Sequence, residues 1–593
     1  MAKKQPIRNQ QQPVATNKKN TTRTTNAISK SMFDILETHF SAKRNMYLIL
    51  LVLISFIFAL FCFDNKISTA NDDALYIESG ARYANAFFAK TSWYTANAPL
   101  YPIVLGLIIK VIGVRLMWLK MFSVISFAAA IYFIFRTYEK RIPYLILIPS
   151  LLLTAINFEY LMYASLTYTE TFSLMIIGIC FFLIFKIFDK LQIEGLSIQD
   201  KILPVFILGA LCLLLMLTRS VALGAIGVVV LYLVYRKNYK EAVLAVASFV
   251  IVFLAYKFLV DAIWQPSDSQ FKTQIKLMYQ KDVYNPQLGD EDLSGFIVRF
   301  WKNCEIYISS RFMFVLGFRE EMAETNTLVT IICIAIVLWS LYLAHISKQY
   351  TLLFTTLFVG AMLTITFITL NVSWGQTRLI MIYLPFILFS IFYILYYYGQ
   401  KMSVLQALYP FVFFVLFIVC INVTLRQIKE RFPIFIENVT GDATYGYTAD
   451  WQNYIKMSKW CAENFPNETK SIAVRKAPMS FIFSDGKEFY PIYSTPTSNP
   501  DSLLMPFIHY DSITQKIDSV KYLMTAELRG NPNMHIEGQI IGTMHRYAYY
   551  IMQKYPNSFV PIHQEGEVEE AVLYKIDWNY IDSLRNNYNK SDK

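Results

Sequence analysis

The feature that most constrains this chain is the recurrence, from residue 46 to residue 423, of apolar runs of about 17 or more residues, each long enough to cross a hydrocarbon core roughly 30 Å thick. A chain built this way must satisfy its backbone polar groups within each crossing, so the crossings are expected to be helices. Composition agrees: 55% of the residues are hydrophobic and the mean hydropathy is +0.37. The net charge of +11 is carried largely by the N-terminal tail and short loops. There it orients spans, and it does not suggest nucleic-acid binding.

The positive-inside rule orders the crossings. A basic tail, 1–45, with Lys3, Lys4, Lys18, Lys19, Lys43 and Arg44, is placed in the cytoplasm. The spans then read 46–63, 116–135, 143–161, 171–188, 202–217, 221–235, 242–260, 327–345, 350–370, 378–398 and 404–423, about eleven in all. The basic loop "RTYEKR", Arg136–Arg141, belongs inside, so "APLYPIVLGLIIKVIG" is read as a helix lying along or dipping into the outer face rather than as a further span. The first loop, 64–98, and a polar loop, 261–326, are external. "SMFDILETHF" before the first span reads as a short interfacial helix.

The region 425–593 has no spanning run and is long enough for a domain. "ADWQNYIKMSKWCAENFP" has helical spacing, with Asp450 able to cap it and Pro466 to stop it. "SIAVRK", "SFIFS", "KYLMTAEL" and "EEAVLYKID" read as strands, and "GQIIGTMHRYAYYIMQKYP" as a second helix. The expected architecture is an α-helical polytopic membrane protein, with a transmembrane domain over 46–424 and a small extracytoplasmic α/β domain at its C-terminus.

Seven cysteines form no CxxC or Cys/His cluster, so no zinc site is suggested. Cys304 and Cys461 fall in external stretches, where pairing cannot be decided from sequence.

On this topology the ionisable residues that interrupt the apolar pattern share the outer face. Asp72 and Asp73 follow the first span, Glu170 opens an inward one, Arg219 closes an outward one, and Arg378 opens a later inward one. Charges at membrane depth are costly unless paired or facing a wet cavity. Alone, Arg219, Arg378 and Glu170 also read as span boundaries, and Asp72 and Asp73 as a solvated loop or a helix N-terminus. Together they suit an anionic, lipid-borne substrate, with Arg for phosphate and a carboxylate for a hydroxyl proton.

Four stretches carry a family resemblance: the acidic pair with its following Tyr (Asp72, Asp73, Ala74, Leu75, Tyr76), "NAPLYP" before the next apolar helix, "LTRS" closing a middle span, and "TRLIMIYLP" opening a late one. The segment from Trp451 to Tyr493 resembles the external helix–strand unit that follows the last span in bacterial members. The whole chain resembles the GT-C-fold glycosyltransferases that use lipid-linked sugars, on the branch of the protein O-mannosyltransferases and aminoarabinose transferases. The resemblance implies inverting transfer from a polyprenyl-phosphate sugar to an acceptor hydroxyl on a glycan, lipid or protein outside the cell. It implies Asp72 as catalytic base with Asp73 beside it, Glu170 as a second acid, and Arg378 with Arg219 on the donor phosphate. Tyr76 and Tyr101, with Trp93 and Tyr94 nearby, are expected at the substrate lip, where amphipathic rings settle. The branch works mostly without a metal, although the acids could hold a divalent ion.

Two departures shift the reading. Ser220 stands where Pro is common after the Arg of the middle motif, and Asn97 and Ala98 replace the acidic–basic pair before Pro99 that marks the aminoarabinose branch. The loop 261–326 is too short for the luminal modules of the eukaryotic protein-mannosyl branch. A bacterial enzyme of the cell membrane remains. The rivals are a transporter or flippase, which predicts mid-membrane polar sites and repeated halves, an envelope glycan polymerase or ligase, and a non-enzymatic assembly protein.

Overall fold

A computed structural model describes residues 31–90, 98–193, 197–265, 276–282, 288–321, 323–491, 520–526 and 555–580, with a few single residues besides. Among the described residues, eight helices are long and apolar enough to cross a membrane. They are α2 (Arg44–Phe61), α5 (Leu116–Tyr138), α8 (Thr169–Leu191), α9 (Ile198–Thr218) and α11 (Tyr239–Ile263), then Thr327–Ile346, Tyr350–Thr369 and Ser403–Thr440. The pair α6 (Tyr144–Ala155) and α7 (Phe158–Ala164), bent by 58° at a short break, is long and apolar enough for a ninth only when taken as one unit. Asn157 sits at the bend. Its Oδ1 accepts the Glu159 N–H at 3.1 Å, which satisfies a donor the break exposes, and its Nδ2 donates to the carbonyl of Val315, far along the chain, at 2.6 Å. Ala225–Tyr235 and Leu384–Gly399 are apolar but shorter, so each of the eleven expected spans has a helical counterpart.

The helix α1 (Met32–Ala42) begins on a capping box between Ser31 and Asp34. It is tied to the bundle: Phe33 stacks on Tyr396, and the Glu37 carboxylate accepts the N–H groups of Tyr144 and Leu145 at 3.0 and 2.8 Å. Glu37 thus supplies acceptors to the open N-terminus of α6.

The first loop is not extended. It holds α3 (Asp72–Asn85), which lies against α4 (Leu100–Ile112), the 13-residue helix of the "APLYP" stretch. Glycines set this approach. A Cβ on Gly106 would come within 2.8 Å of the Gly80 carbonyl oxygen and of the Tyr83 Cβ. Gly106→Ala therefore has to push two helices apart, and unfolding measurements are expected to show a loss of about 1–3 kcal/mol; an unchanged midpoint would refute this packing.

The C-terminal region is a mixed five-stranded sheet ordered β2-β1-β3-β5-β4. Its strands are β1 (Ile472–Val474), β2 (Tyr490–Pro491), β3 (Tyr522–Ala526), β4 (Phe559–Glu565) and β5 (Ala571–Ile576). β1 runs parallel to β2 and β3, while β5 is antiparallel to β3 and β4. The expected Trp451-containing helix forms as Ala449–Asn464 and packs on the sheet. Two expectations change. "SFIFS" is not a strand but part of the helix Ala477–Phe483, started by Pro478 and packed on α3 instead of joining the sheet. β4 adds a strand beyond those expected; it contains Pro561, which a sheet tolerates at an edge, and it lies there beside a register shift. The second expected helix, 538–556, lies almost entirely outside the described residues. Cys304 and Cys461 are buried and unpaired.

Candidate functional site

The short segment between α2 and α3 sets the site. Residues Cys62 to Asn71 have no regular structure, yet side chains from several elements hold them. Lys120 of α5 is fully buried and donates to the carbonyls of Asp64, at 2.9 Å, and of Lys66. Arg431, on the long last helix, pairs with the Asp64 carboxylate at 3.6 Å. The Tyr447 hydroxyl donates to the Ile67 carbonyl at 2.7 Å, and Lys476 to that of Thr69 at 3.0 Å. Asn71 takes the left-handed conformation at φ 74°, which Asn tolerates better than most residues, and turns the chain into α3.

Asp72 and Asp73 open α3, where the helix dipole favours carboxylates. They then part company. Asp73 is fully buried: its oxygens accept Ser68 N at 2.9 Å, Ser68 Oγ at 2.8 Å and Ala74 N at 3.0 Å, and Lys120 Nζ lies 4.0 Å away. Burial works to raise the Asp73 pKa; the Lys120 charge and the Ser68 and Ala74 donors oppose it. Asp72 keeps a side chain 37% exposed, and its Oδ2 accepts Arg378 Nη2 at 2.7 Å. Its Oδ1 has no partner among the described residues.

Arg378 begins a short helix, Arg378–Met381, and is held from three sides. Its Nε donates to Gln376 at 2.8 Å, its Nη2 to Asp72, and its guanidinium lies 4.9 Å from the centre of the Tyr168 ring. Nη1 makes no hydrogen bond among the described residues. Tyr168 reaches back to Ser68 Oγ at 3.1 Å, which joins this cation to the pinned segment. Deeper, Glu170 at the start of α8 is 1% exposed and faces Arg219, the residue that closes α9, at 3.6 Å. Glu170 Oε2 and Arg219 Nη1 are buried without hydrogen-bond partners, so this pair is incompletely satisfied.

The residues expected to share one face therefore meet. Asp72 with Arg378 forms an open pair, Glu170 with Arg219 a buried one, and Tyr76 lies within the field of Glu170, Arg378 and Arg219. The aromatic expectation needs correction. Tyr101 is not on a lip but fully buried, edge-on to Tyr76 at 5.3 Å and tilted against Phe172 at 5.3 Å. Tyr76 is also buried. Both sit on the buried faces of two tightly packed helices, α3 and α4. Trp93 and Tyr94 lie outside the described residues. Sequence reading missed Lys120, Arg431, Lys476 and Tyr168. Lys120, a cation near the start of an apolar run, reads there as a boundary residue.

No group of three or more His, Cys, Asp or Glu side chains among the described residues is placed to hold a metal ion. Asp72, which is partly exposed, and Glu170, which is buried, each already face an Arg. This donor set does not fit a divalent cation, which wants several converging oxygens.

A bundle of apolar helices, a short first-loop helix starting on an acidic pair, and an appended sheet domain define a multi-pass membrane protein with the GT-C fold. No family model and no curated protein matches the sequence. Among solved structures, the Archaeoglobus fulgidus oligosaccharyltransferase complexed with zinc and sulfate is similar with a TM-score of 0.52 at 12% identity, over 90% of this chain and 73% of that one. The same enzyme tethered to an acceptor peptide containing the NVT sequon gives 0.50 at 10% identity, over 91% and 75%. ArnT from Cupriavidus metallidurans in the apo state gives 0.48 at 10% identity, over 90% and 98%. At these identities the likeness is one of fold.

Proposed function

We propose that this chain is an integral-membrane glycosyltransferase of the cell membrane, its N-terminus cytoplasmic and its C-terminal domain outside. It moves a sugar from a polyprenyl-phosphate donor to an acceptor hydroxyl at the extracytoplasmic face, with inversion. The observation that carries this is the Asp72–Arg378 pair at 2.7 Å, each partner with one atom left over. Arg378 Nη1 can donate to a phosphate oxygen while Nη2 keeps Asp72 in place. Asp72 Oδ1 then remains to accept a proton.

In the step itself, the acceptor oxygen attacks the anomeric carbon and its proton passes to Asp72 Oδ1. The bond from that carbon to the phosphate oxygen breaks, and its electron pair leaves with the phosphate, held by Arg378. Asp73, whose carboxylate oxygens already accept Ser68 and Ala74 in the interior, positions Asp72 and does not react. The apolar helices suit a donor with a long lipid chain.

Mass spectrometry of lipid extracts tests this reading. A deletion strain and an Asp72→Asn strain at matched protein level should both accumulate one polyprenyl-phosphate sugar relative to wild type, and its mass names the donor. No accumulation in the deletion strain would overturn the proposal. Arg378→Lys should raise KM for that lipid about 10–100-fold, because a point charge replaces a fork and a charge-assisted hydrogen bond worth about 1.5–3 kcal/mol is lost. An unchanged KM would remove Arg378 from the donor phosphate.

A further inference from the structure

A cation of the C-terminal domain, Lys476, reaches the segment before α3. Lys476 follows β1 and precedes the Ala477–Phe483 helix that packs on α3. Its Nζ donates to the carbonyl of Thr69, three residues before Asp72, at 3.0 Å, and lies 5.8 Å from the centre of the Trp451 ring. The charged groups that face it are Arg475 on its own segment and Asp72 and Asp73 across from it. Two neighbouring bonds seat the same domain on the same segment. Tyr447 donates to the Ile67 carbonyl at 2.7 Å, and Lys66 to that of Gly446 at 3.0 Å.

We infer that Lys476 is a positioning residue for the reaction at Asp72, so that the C-terminal domain completes the active site. The inference rests on the glycosyltransferase reading above. Protonated, Lys476 fixes the Thr69 carbonyl and with it the turn that aims Asp72. It also keeps a positive charge beside the carboxylate pair while an anionic lipid phosphate enters. Deprotonated, it loses the charge and most of the strength of that hydrogen bond.

This assignment has a pH signature. Burial first, and then Arg475, push the Lys476 ammonium down to about 8, while Asp72 and Asp73 pull it back up. The working form is the protonated one, so activity should fall as pH rises through that value.

The experiment uses the full-length protein in proteoliposomes and has two arms. The first follows the labelling rate of the Lys476 amine against pH, by peptide mass spectrometry. The midpoint should lie near the value above in wild type and move lower in Asp72→Asn, which removes a carboxylate that favours the ammonium. A midpoint near that of a free lysine, or one indifferent to Asp72→Asn, overturns the inference whatever the enzyme does. The second arm measures turnover of the lipid that accumulates in the deletion strain. Lys476→Met should lower kcat about 10–100-fold at neutral pH, as expected for a misaimed base. Lys476→Arg should keep activity and lose the alkaline fall, because guanidinium stays charged. An Arg variant that retains the alkaline fall overturns the inference even where the Met variant fails to fold. If wild type itself turns over no lipid, the glycosyltransferase reading fails, and the labelling arm still decides whether Lys476 is coupled to Asp72.

Discussion

Asp72→Asn is expected to lower sugar transfer roughly 10²–10⁴-fold, the usual contribution of a placed general base, with little change in thermal stability. Both halves follow from geometry. Asparagine keeps an oxygen that can accept Arg378 Nη2, so the 2.7 Å contact and the start of α3 persist. What it lacks is an oxygen basic enough to take the acceptor proton. Asp73→Asn should differ in kind. That carboxylate is fully buried, so its loss disturbs folding first and catalysis through it. Single-turnover rates with thermal unfolding on the same preparations separate the two. Equal activity in Asp72→Asn and wild type would sink the catalytic assignment, and Asp73 would then be no better a candidate, given its burial.

The second large effect concerns Lys120. It lies in the interior 4.0 Å from Asp73 and donates to two carbonyls of the segment before α3. Breaking a buried ion pair on one side strands the other charge, which costs about 3–5 kcal/mol. Lys120→Met should therefore lower the unfolding midpoint sharply. Adding Asp73→Asn to it should restore part of the loss, because the stranded carboxylate becomes a neutral amide. A coupling of about 0.5–3 kcal/mol is expected between the two positions. Strict additivity would mean that Lys120 acts only through the two carbonyls. Activity should fall in every member of the cycle, since each loosens the turn that aims Asp72.

These two predictions differ in how far a sequence could reach them. Asp72, Glu170, Arg219 and Arg378 stand out because charge interrupts an apolar run, and topology alone sends all four to one face. The structure brings them together as two pairs. Lys120 carries no such mark: a lysine near the start of an apolar run reads as a boundary residue, and nothing local says that it points inward at a loop more than fifty residues earlier in the chain. Lys476 is harder still, because its partner is a backbone carbonyl about four hundred residues away and any side chain may precede that oxygen. Tyr101 shows the converse. Its aromatic type at a span edge suggests a headgroup position, but Gly80 and Gly106 let α3 and α4 approach until the ring is enclosed.

The sequence by itself determined that this chain is a multi-pass membrane protein, where its long apolar helices run, and which charged residues interrupt them. These follow from hydrophobic run length and from charge sign, both local quantities. Only the tertiary structure decided which of two adjacent aspartates is open and which is buried, that the first loop folds into a helix fastened from both domains, and that "SFIFS" packs on that helix instead of extending the sheet. Those outcomes turn on a few ångströms of approach between segments far apart in the chain. Asp72 and Asp73 have the same side chain and neighbouring places, and they differ because Ser68 and Lys120 reach one of them and Arg378 the other.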